Sequence, residues 1–135
     1  MLHYETTFPV RYYETDCMGV VHHSNYIRYF ECARNEMISS WGYPVEECDR
    51  DGIVFPVISV ECSYKHPARM GDVLRVTAEI DEVPLVKLDI RQAVYNQDGV
   101  LCAEGKVVLA FLSKETGFPV RCPEKIEKII ESRLS

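Results

Sequence analysis

The sequence predicts an α+β fold in which an antiparallel sheet of about five strands covers one long helix. Three features predict it: an early segment with apolar residues at helical spacing, a following stretch up to residue 112 that alternates with a period of two, and short turns within that stretch. Parallel neighbours need crossover connections of a dozen residues or more, so short turns leave antiparallel pairing. A helix with a single apolar stripe must bury it, and the sheet supplies the surface.

From the N-terminus, Tyr4, Thr6, Phe8, Val10 and Tyr12 alternate with Glu5, Thr7, Arg11 and Tyr13, a strand in which Pro9 marks an edge or a bulge. The period then changes. Between Ser24 and Trp41 the apolar residues fall at Ile27, Phe30, Ala33, Met37, Ile38 and Trp41, the spacing of a helix with one buried face. Ser24 or Asn25 is placed to cap its start, and Gly42 to end it in a left-handed conformation. From there to residue 112 the chain reads as sheet. Val54 to Tyr64 is rich in β-branched residues and runs into the breaker segment His66-Pro67-Ala68-Arg69-Met70-Gly71-Asp72. Val73 to Ile80 turns Leu74, Val76, Ala78 and Ile80 inward, and Leu88, Ile90, Gln92 and Val94 repeat the pattern up to the Gln97-Asp98-Gly99 turn. Leu101 to Leu112 forms a last, mostly apolar strand. A final amphipathic helix starts at Pro123, with Ile126, Ile129, Ile130 and Leu134 on one face. No repeat or linker interrupts the chain, and residues 1–135 are expected to form one domain. A sheet of this kind has free edges, which proteins often pair across a dimer axis.

A formal charge of −6 argues against a nucleic-acid partner, because neutralising phosphates needs a basic face. A polyanionic small molecule remains compatible, since a few cations can be gathered locally. The six cysteines show no CxxC spacing, so no metal site is expected. MLHYETTFPV has no basic stretch leading into an apolar one, so no secretory signal is expected and the cysteines read as free thiols in the cytoplasm. No apolar run approaches the ~18 residues of a membrane span.

The segment Glu14 to Tyr26 joins the first strand to the long helix and holds an acid, a flexible glycine, two histidines and a helix start. First-turn backbone N–H groups lack intrahelical partners and carry the positive end of the helix dipole. At this helix start such groups can hold an oxygen that becomes negative during acyl transfer. Asp16, folded back by a turn at Gly19, can face the same point, and a carboxylate with oxyanion donors suffices to hydrolyse an activated acyl group without a cofactor. Bland roles compete. An aspartate in a loop is commonly a turn former. His22 and His23 can be surface residues, Cys17 as a nucleophile would need a base from elsewhere, and Tyr12, Tyr26 and Tyr29 suit a core or an interface.

The run from Val10 to Tyr26, VRYYETDCMGVVHHSNY, followed by Arg28-Tyr29-Phe30-Glu31-Cys32-Ala33-Arg34, resembles the signature of the 4-hydroxybenzoyl-CoA thioesterase family. It is especially similar to the short acyl-CoA thioesterases encoded beside the Tol–Pal genes of many bacteria. Tyr64-Lys65-His66-Pro67-Ala68-Arg69-Met70-Gly71-Asp72 resembles the family's second landmark. The resemblance implies a hot-dog fold, Asp16 as catalytic carboxylate (nucleophile or general base), and the His23 backbone N–H polarising the thioester carbonyl. It also implies that Tyr12 and the His23 side chain orient water or substrate, and that the chain assembles as a homodimer or homotetramer. Met18 stands where related enzymes often carry Gly or Ala, which would narrow the pocket or make it more apolar. Lys65, His66 and Arg69 are expected to meet the CoA phosphates, although Arg69 can equally pair with Asp72. The alternative function is an acyl-CoA or acyl-carrier-protein binding module or a dehydratase-like relative, since one fold hosts several activities.

Overall fold

The computed structural model describes residues 1–134. In chain order it contains β1 (Leu2–Pro9), a 3-10 turn (Tyr12–Glu14), α1 (Ser24–Ser40), α2 (Val45–Arg50), β2 (Ile53–Val54), β3 (Val57–Tyr64), β4 (Val73–Ile80), β5 (Lys87–Tyr95), β6 (Leu101–Ala110), β7 (Leu112–Ser113) and α3 (Glu124–Leu134). Five strands form an antiparallel sheet in the order β1-β4-β5-β6-β3, and β2 and β7 pair as a short separate ribbon. α1 packs on β1, β4 and β5.

The predicted alternation sets the inner face of the sheet. Leu74, Val76, Ala78 and Ile80 of β4 are fully buried, as are Ile90 and Val94 of β5. Gln92 is buried among them and its Nε2 donates to the Phe30 carbonyl of α1 at 2.8 Å, a polar link between sheet and helix. The helix buries Phe30, Ala33, Met37, Ile38 and Trp41 as expected, but its first member differs: Ile27 is 39% exposed, and Tyr26 and Tyr29 are buried in its place. Those positions follow the three-and-four rule from Tyr26, and Ile27 lies about 100° round the helix from it.

Four further expectations need correction. β1 ends at Pro9 instead of running to Tyr12, because the Glu14 carboxylate captures the Arg11 N–H at 2.8 Å and the chain curls into the 3-10 turn. Neither Ser24 nor Asn25 caps α1. His23 occupies the cap position with no side-chain cap, and the Asn25 amide is spent on the Glu14 carbonyl at 2.8 Å. The strand expected over Val54–Tyr64 breaks at Pro56, which has no N–H for a ladder, into β2 and β3. α2 interrupts what reads as sheet: it follows Pro44, with Glu46 and Glu47 in its first turn and Arg50 in its last, the charge order a helix dipole favours. Gly42 does end α1 in the left-handed region, at φ 78°.

β3 is the exposed edge of the sheet, and across from it Gly105 of β6 makes a contact that no side chain fits. A Cβ on Gly105 would stand 1.8 Å from the Glu61 carbonyl oxygen. Gly105→Ala is therefore expected to push β3 off β6 and to destabilise the protein by at least the ~1–3 kcal/mol of ordinary overpacking. Thermal unfolding checks this, and an unchanged Tm would contradict it.

Candidate active site

The link between β1 and α1 folds as a small hairpin. The Glu14 carbonyl accepts from His22 N–H at 2.9 Å, Thr15 and Val21 form an antiparallel bridge, and Asp16 N–H donates to the Val20 carbonyl at 2.9 Å. Gly19 N–H closes the tip on the Asp16 carbonyl at 3.1 Å, and Gly19 takes φ 78°, a conformation that favours glycine. Asp16 begins this turn. Its Oδ1 accepts from Met18 N–H at 2.8 Å and Val20 N–H at 3.4 Å, so the turn-forming role is realised. Among the described residues nothing donates to its other oxygen, Oδ2, and the side chain is half-buried.

The hairpin delivers the chain to the start of α1. Ser24 N–H reaches His22 Nδ1 at 3.3 Å and Asn25 N–H reaches the His22 carbonyl at 2.9 Å. The His23 N–H has no acceptor among the described residues, which leaves one donor free at the positive end of the helix. Beside it lies a groove of about 270 Å³ lined by Val21, His23, Tyr26, Tyr64, Lys65, His66 and Pro67. Tyr64 O–H donates to the His23 carbonyl at 3.2 Å, and the two rings meet edge-on with centroids 6.3 Å apart. Tyr26 O–H accepts from Ala68 N–H at 3.1 Å, and burial pushes its phenol pKa upward.

The Lys65–Asp72 segment is laced to the hairpin. Val21 N–H donates to the Ala68 carbonyl at 2.8 Å, Val20 and Arg69 form a bridge, and Met70 N–H donates to the Gly19 carbonyl at 3.0 Å. Asp72 accepts from the Arg69 backbone N–H at 2.8 Å, not from its guanidinium. Lys65, His66 and Arg69 are exposed, and among the described residues none of them joins an ion pair.

His23, Lys65 and His66 thus share one groove, with Gly19 and Arg69 joined to the neighbouring hairpin and Asp16 at its tip. Within a single chain Asp16 is not one of the groove's lining residues. Ser24 is exposed, its Oγ 2.9 Å from His22 Nδ1, whereas Asn25 is buried. Tyr12 stands apart on the 3-10 turn, 80% exposed. Sequence reasoning passed over Glu14 and Tyr64. Glu14 is buried and accepts from Tyr29 O–H at 2.9 Å, a contact across 15 positions that no local pattern announces. Tyr64 was visible as the end of a strand and the first residue of the second landmark, with no role of its own.

A long helix lying on a five-stranded antiparallel sheet, with a groove where a loop enters that helix, is the hot-dog arrangement, and the chain's relatives supply the class. Residues 10–130 match the model of the thioesterase-like superfamily. The acyl-CoA thioester hydrolase YbgC of Escherichia coli O6:H1 is 31% identical over 121 residues, 88% of this chain and 90% of that one. A DHNA-CoA thioesterase from Staphylococcus aureus superimposes with a TM-score of 0.83 at 29% identity, over 90% of this chain and 81% of that one. A Thermus thermophilus protein superimposes with a TM-score of 0.87 at 35% identity, over 96% and 98% of the two chains. The chain belongs to the 4-hydroxybenzoyl-CoA thioesterase family, and so to the thioester hydrolases.

Proposed function

We propose that the protein hydrolyses acyl-CoA thioesters to a carboxylic acid and CoA, with Asp16 and the His23 N–H as the working groups. The observation that carries this is the unpartnered His23 N–H at the start of α1, beside an aromatic groove whose rim bears Lys65 and His66. The names of the related YbgC and DHNA-CoA thioesterases support it. The thioester carbonyl oxygen takes the His23 N–H, which stabilises the charge that develops there. Asp16 Oδ2 then acts in one of two ways. It attacks the carbonyl carbon, expels CoA thiolate and leaves an acyl-enzyme anhydride for water to cleave, or it takes a proton from the water that attacks. A thiol with a pKa of ~8–9 leaves without a strong general acid, which suits a site offering a base and an oxyanion donor. His23 and Tyr12 side chains orient water or substrate. Gly19, Ser24 and Asn25 shape the turn and the helix start. Thiol release measured over a panel of aliphatic and aromatic acyl-CoAs tests the proposal, and no turnover on any member would reject it in favour of a binding module.

Lys65, His66 and Arg69 take the CoA phosphates in this proposal. The freedom of the Arg69 guanidinium supports the assignment, because Asp72 is served by backbone and by Gln97 Nε2 at 3.0 Å. A charge-assisted bond to phosphate contributes about 1.5–3 kcal/mol, so Arg69→Ala is expected to raise KM for acyl-CoA by ~10–100-fold. For a truncated pantetheine thioester, which lacks the nucleotide phosphates, KM should stay within about twofold. Equal effects on both substrates would assign Arg69 to structure.

The protein is further proposed to act as a homodimer paired through β3, within the cytoplasm. Six free cysteines support a reducing compartment, and among the described residues no helix is long and apolar enough to cross a membrane.

A further inference from the structure

Two buried polar residues at the hairpin base touch no substrate groove, and between them they hold His22 by its N–H and by its carbonyl. Glu14 and Asn25 are each 8% exposed. The Glu14 backbone carbonyl accepts from His22 N–H at 2.9 Å and from Asn25 Nδ2 at 2.8 Å. Its carboxylate accepts from Arg11 N–H at 2.8 Å and Tyr29 O–H at 2.9 Å through Oε1, with the Arg11 guanidinium 3.5 Å from Oε2. Asn25 in turn sends its own backbone N–H to the His22 carbonyl at 2.9 Å. That carbonyl and the His23 N–H belong to the same planar peptide unit, so holding one end sets the direction of the other.

We propose that Asn25, anchored by Glu14 and Tyr29, is a positioning residue that aims the His23 N–H at the thioester carbonyl. This rests on the reading of the His23 N–H as the oxyanion donor. Asn25 acts from behind the site, because its amide is committed to Glu14 and its side chain is buried. The bonds do two things at once. They stop the 22–23 peptide from rotating about its flanking bonds, and by hydrogen-bonding its carbonyl they polarise the N–H at the opposite end. A donor fixed before the reaction stabilises developing charge without reorganising, which is where such sites gain their effect. The desolvation of two polar side chains is offset because their hydrogen-bonding groups are occupied. A mere tie between strand and helix could sit anywhere along α1, whereas these bonds bracket His22. The Glu14 carbonyl, held by the Asn25 amide, accepts from the His22 N–H, and the Asn25 backbone N–H donates to the His22 carbonyl. The side chain thus acts on the 22–23 peptide by fixing the residues on either side of it.

The test is a ligand whose thioester sulfur is replaced by methylene, a ketone that binds without being cleaved, carrying a ¹³C-labelled carbonyl. Infrared difference spectra of its complex with the full chain report how strongly the carbonyl is polarised. The wild-type complex should show a shift to lower frequency relative to water. Asn25→Ala and the near-isosteric Asn25→Asp, which removes the Nδ2 donor, should lose most of that shift. Their kcat should fall ~10–100-fold while affinity for the ketone stays within about threefold. No shift in the wild type would overturn the oxyanion reading and this proposal with it. A wild-type shift that survives in a folded Asn25 variant would overturn the positioning role alone, and so would a parallel loss of affinity and kcat with the shift intact. If both Asn25 variants fail to fold, Tyr29→Phe decides, since its ring keeps its packing on Phe8 and Tyr26 at centroid distances of 5.2 and 5.9 Å. A partial loss of the shift at unchanged affinity then supports the clamp, and an unaltered shift rejects it.

Discussion

Asp16→Asn is expected to lower kcat by about 10²–10⁴-fold while the protein remains folded, the usual effect of removing a positioned acid–base group. The structure makes the asparagine variant more informative than alanine. Asp16 has two separable jobs, one on each oxygen. Oδ1 holds the hairpin tip through Met18 and Val20 N–H, and Oδ2 is free of protein donors among the described residues. Asparagine keeps a carbonyl oxygen for the first job and replaces the second oxygen with an NH2 group that can neither attack nor take a proton. Asp16→Ala loses both, and should add a stability loss of about 0.5–1.5 kcal/mol from the missing hydrogen bonds. Steady-state thiol release with thermal unfolding on the same samples separates the two. Half of the wild-type kcat in either variant would reduce Asp16 to a turn former and end the proposed mechanism.

The strength of each local pattern decided how much of the fold could be read in advance. β4 and β5 were legible to the residue because each alternates on a sheet with only one face against the helix, so Leu74, Val76, Leu88 and Ile90 could point only one way. α1 was legible in extent and in most of its buried stripe but not in its first turn, since Tyr26 and Ile27 are both apolar and only packing on β1, β4 and β5 picks Tyr26. Pro56 and the acidic first turn of α2 were local signals that the surrounding β-branched run masked. The site was legible as a segment and illegible as a network. A helix start with an upstream acid and a glycine turn can be found by spacing. By contrast, the Glu14–Tyr29 bond at 2.9 Å and the Tyr64–His23 bond at 3.2 Å join residues 15 and 41 positions apart, and those register only once the sheet and helix are packed.

Val60→Lys is expected to convert a dimer into a monomer. β3 pairs on one side with β6 and, among the described residues, with no strand on the other, so a row of backbone donors and acceptors is presented. Natural edges of this kind are usually blunted by charge, proline or a cover. Here the inner face of β3 instead presents Val57, Val60 and Tyr64 at 42, 39 and 50% exposure. The outer face of the sheet differs, because it carries charges, several of them paired within the chain, as in Arg75–Glu5 at 3.1 Å and Arg91–Asp81 at 2.7 Å. A second copy paired edge to edge at β3 would satisfy the ladder and cover that apolar face together. It would also close the groove, since Tyr64 belongs to both. The lysine is tolerable in the monomer, where position 60 is partly in solvent, but in the dimer it buries a charge at a cost of several kcal/mol. Light scattering at micromolar concentration should return twice the 15.5 kDa chain mass, or a multiple of that, for the wild type and one chain mass for Val60→Lys. Activity should fall with the mass, because the monomer leaves the groove open to water. A wild-type mass of one chain would remove β3 as an interface, and a fully active Val60→Lys monomer would place the whole site within a single chain.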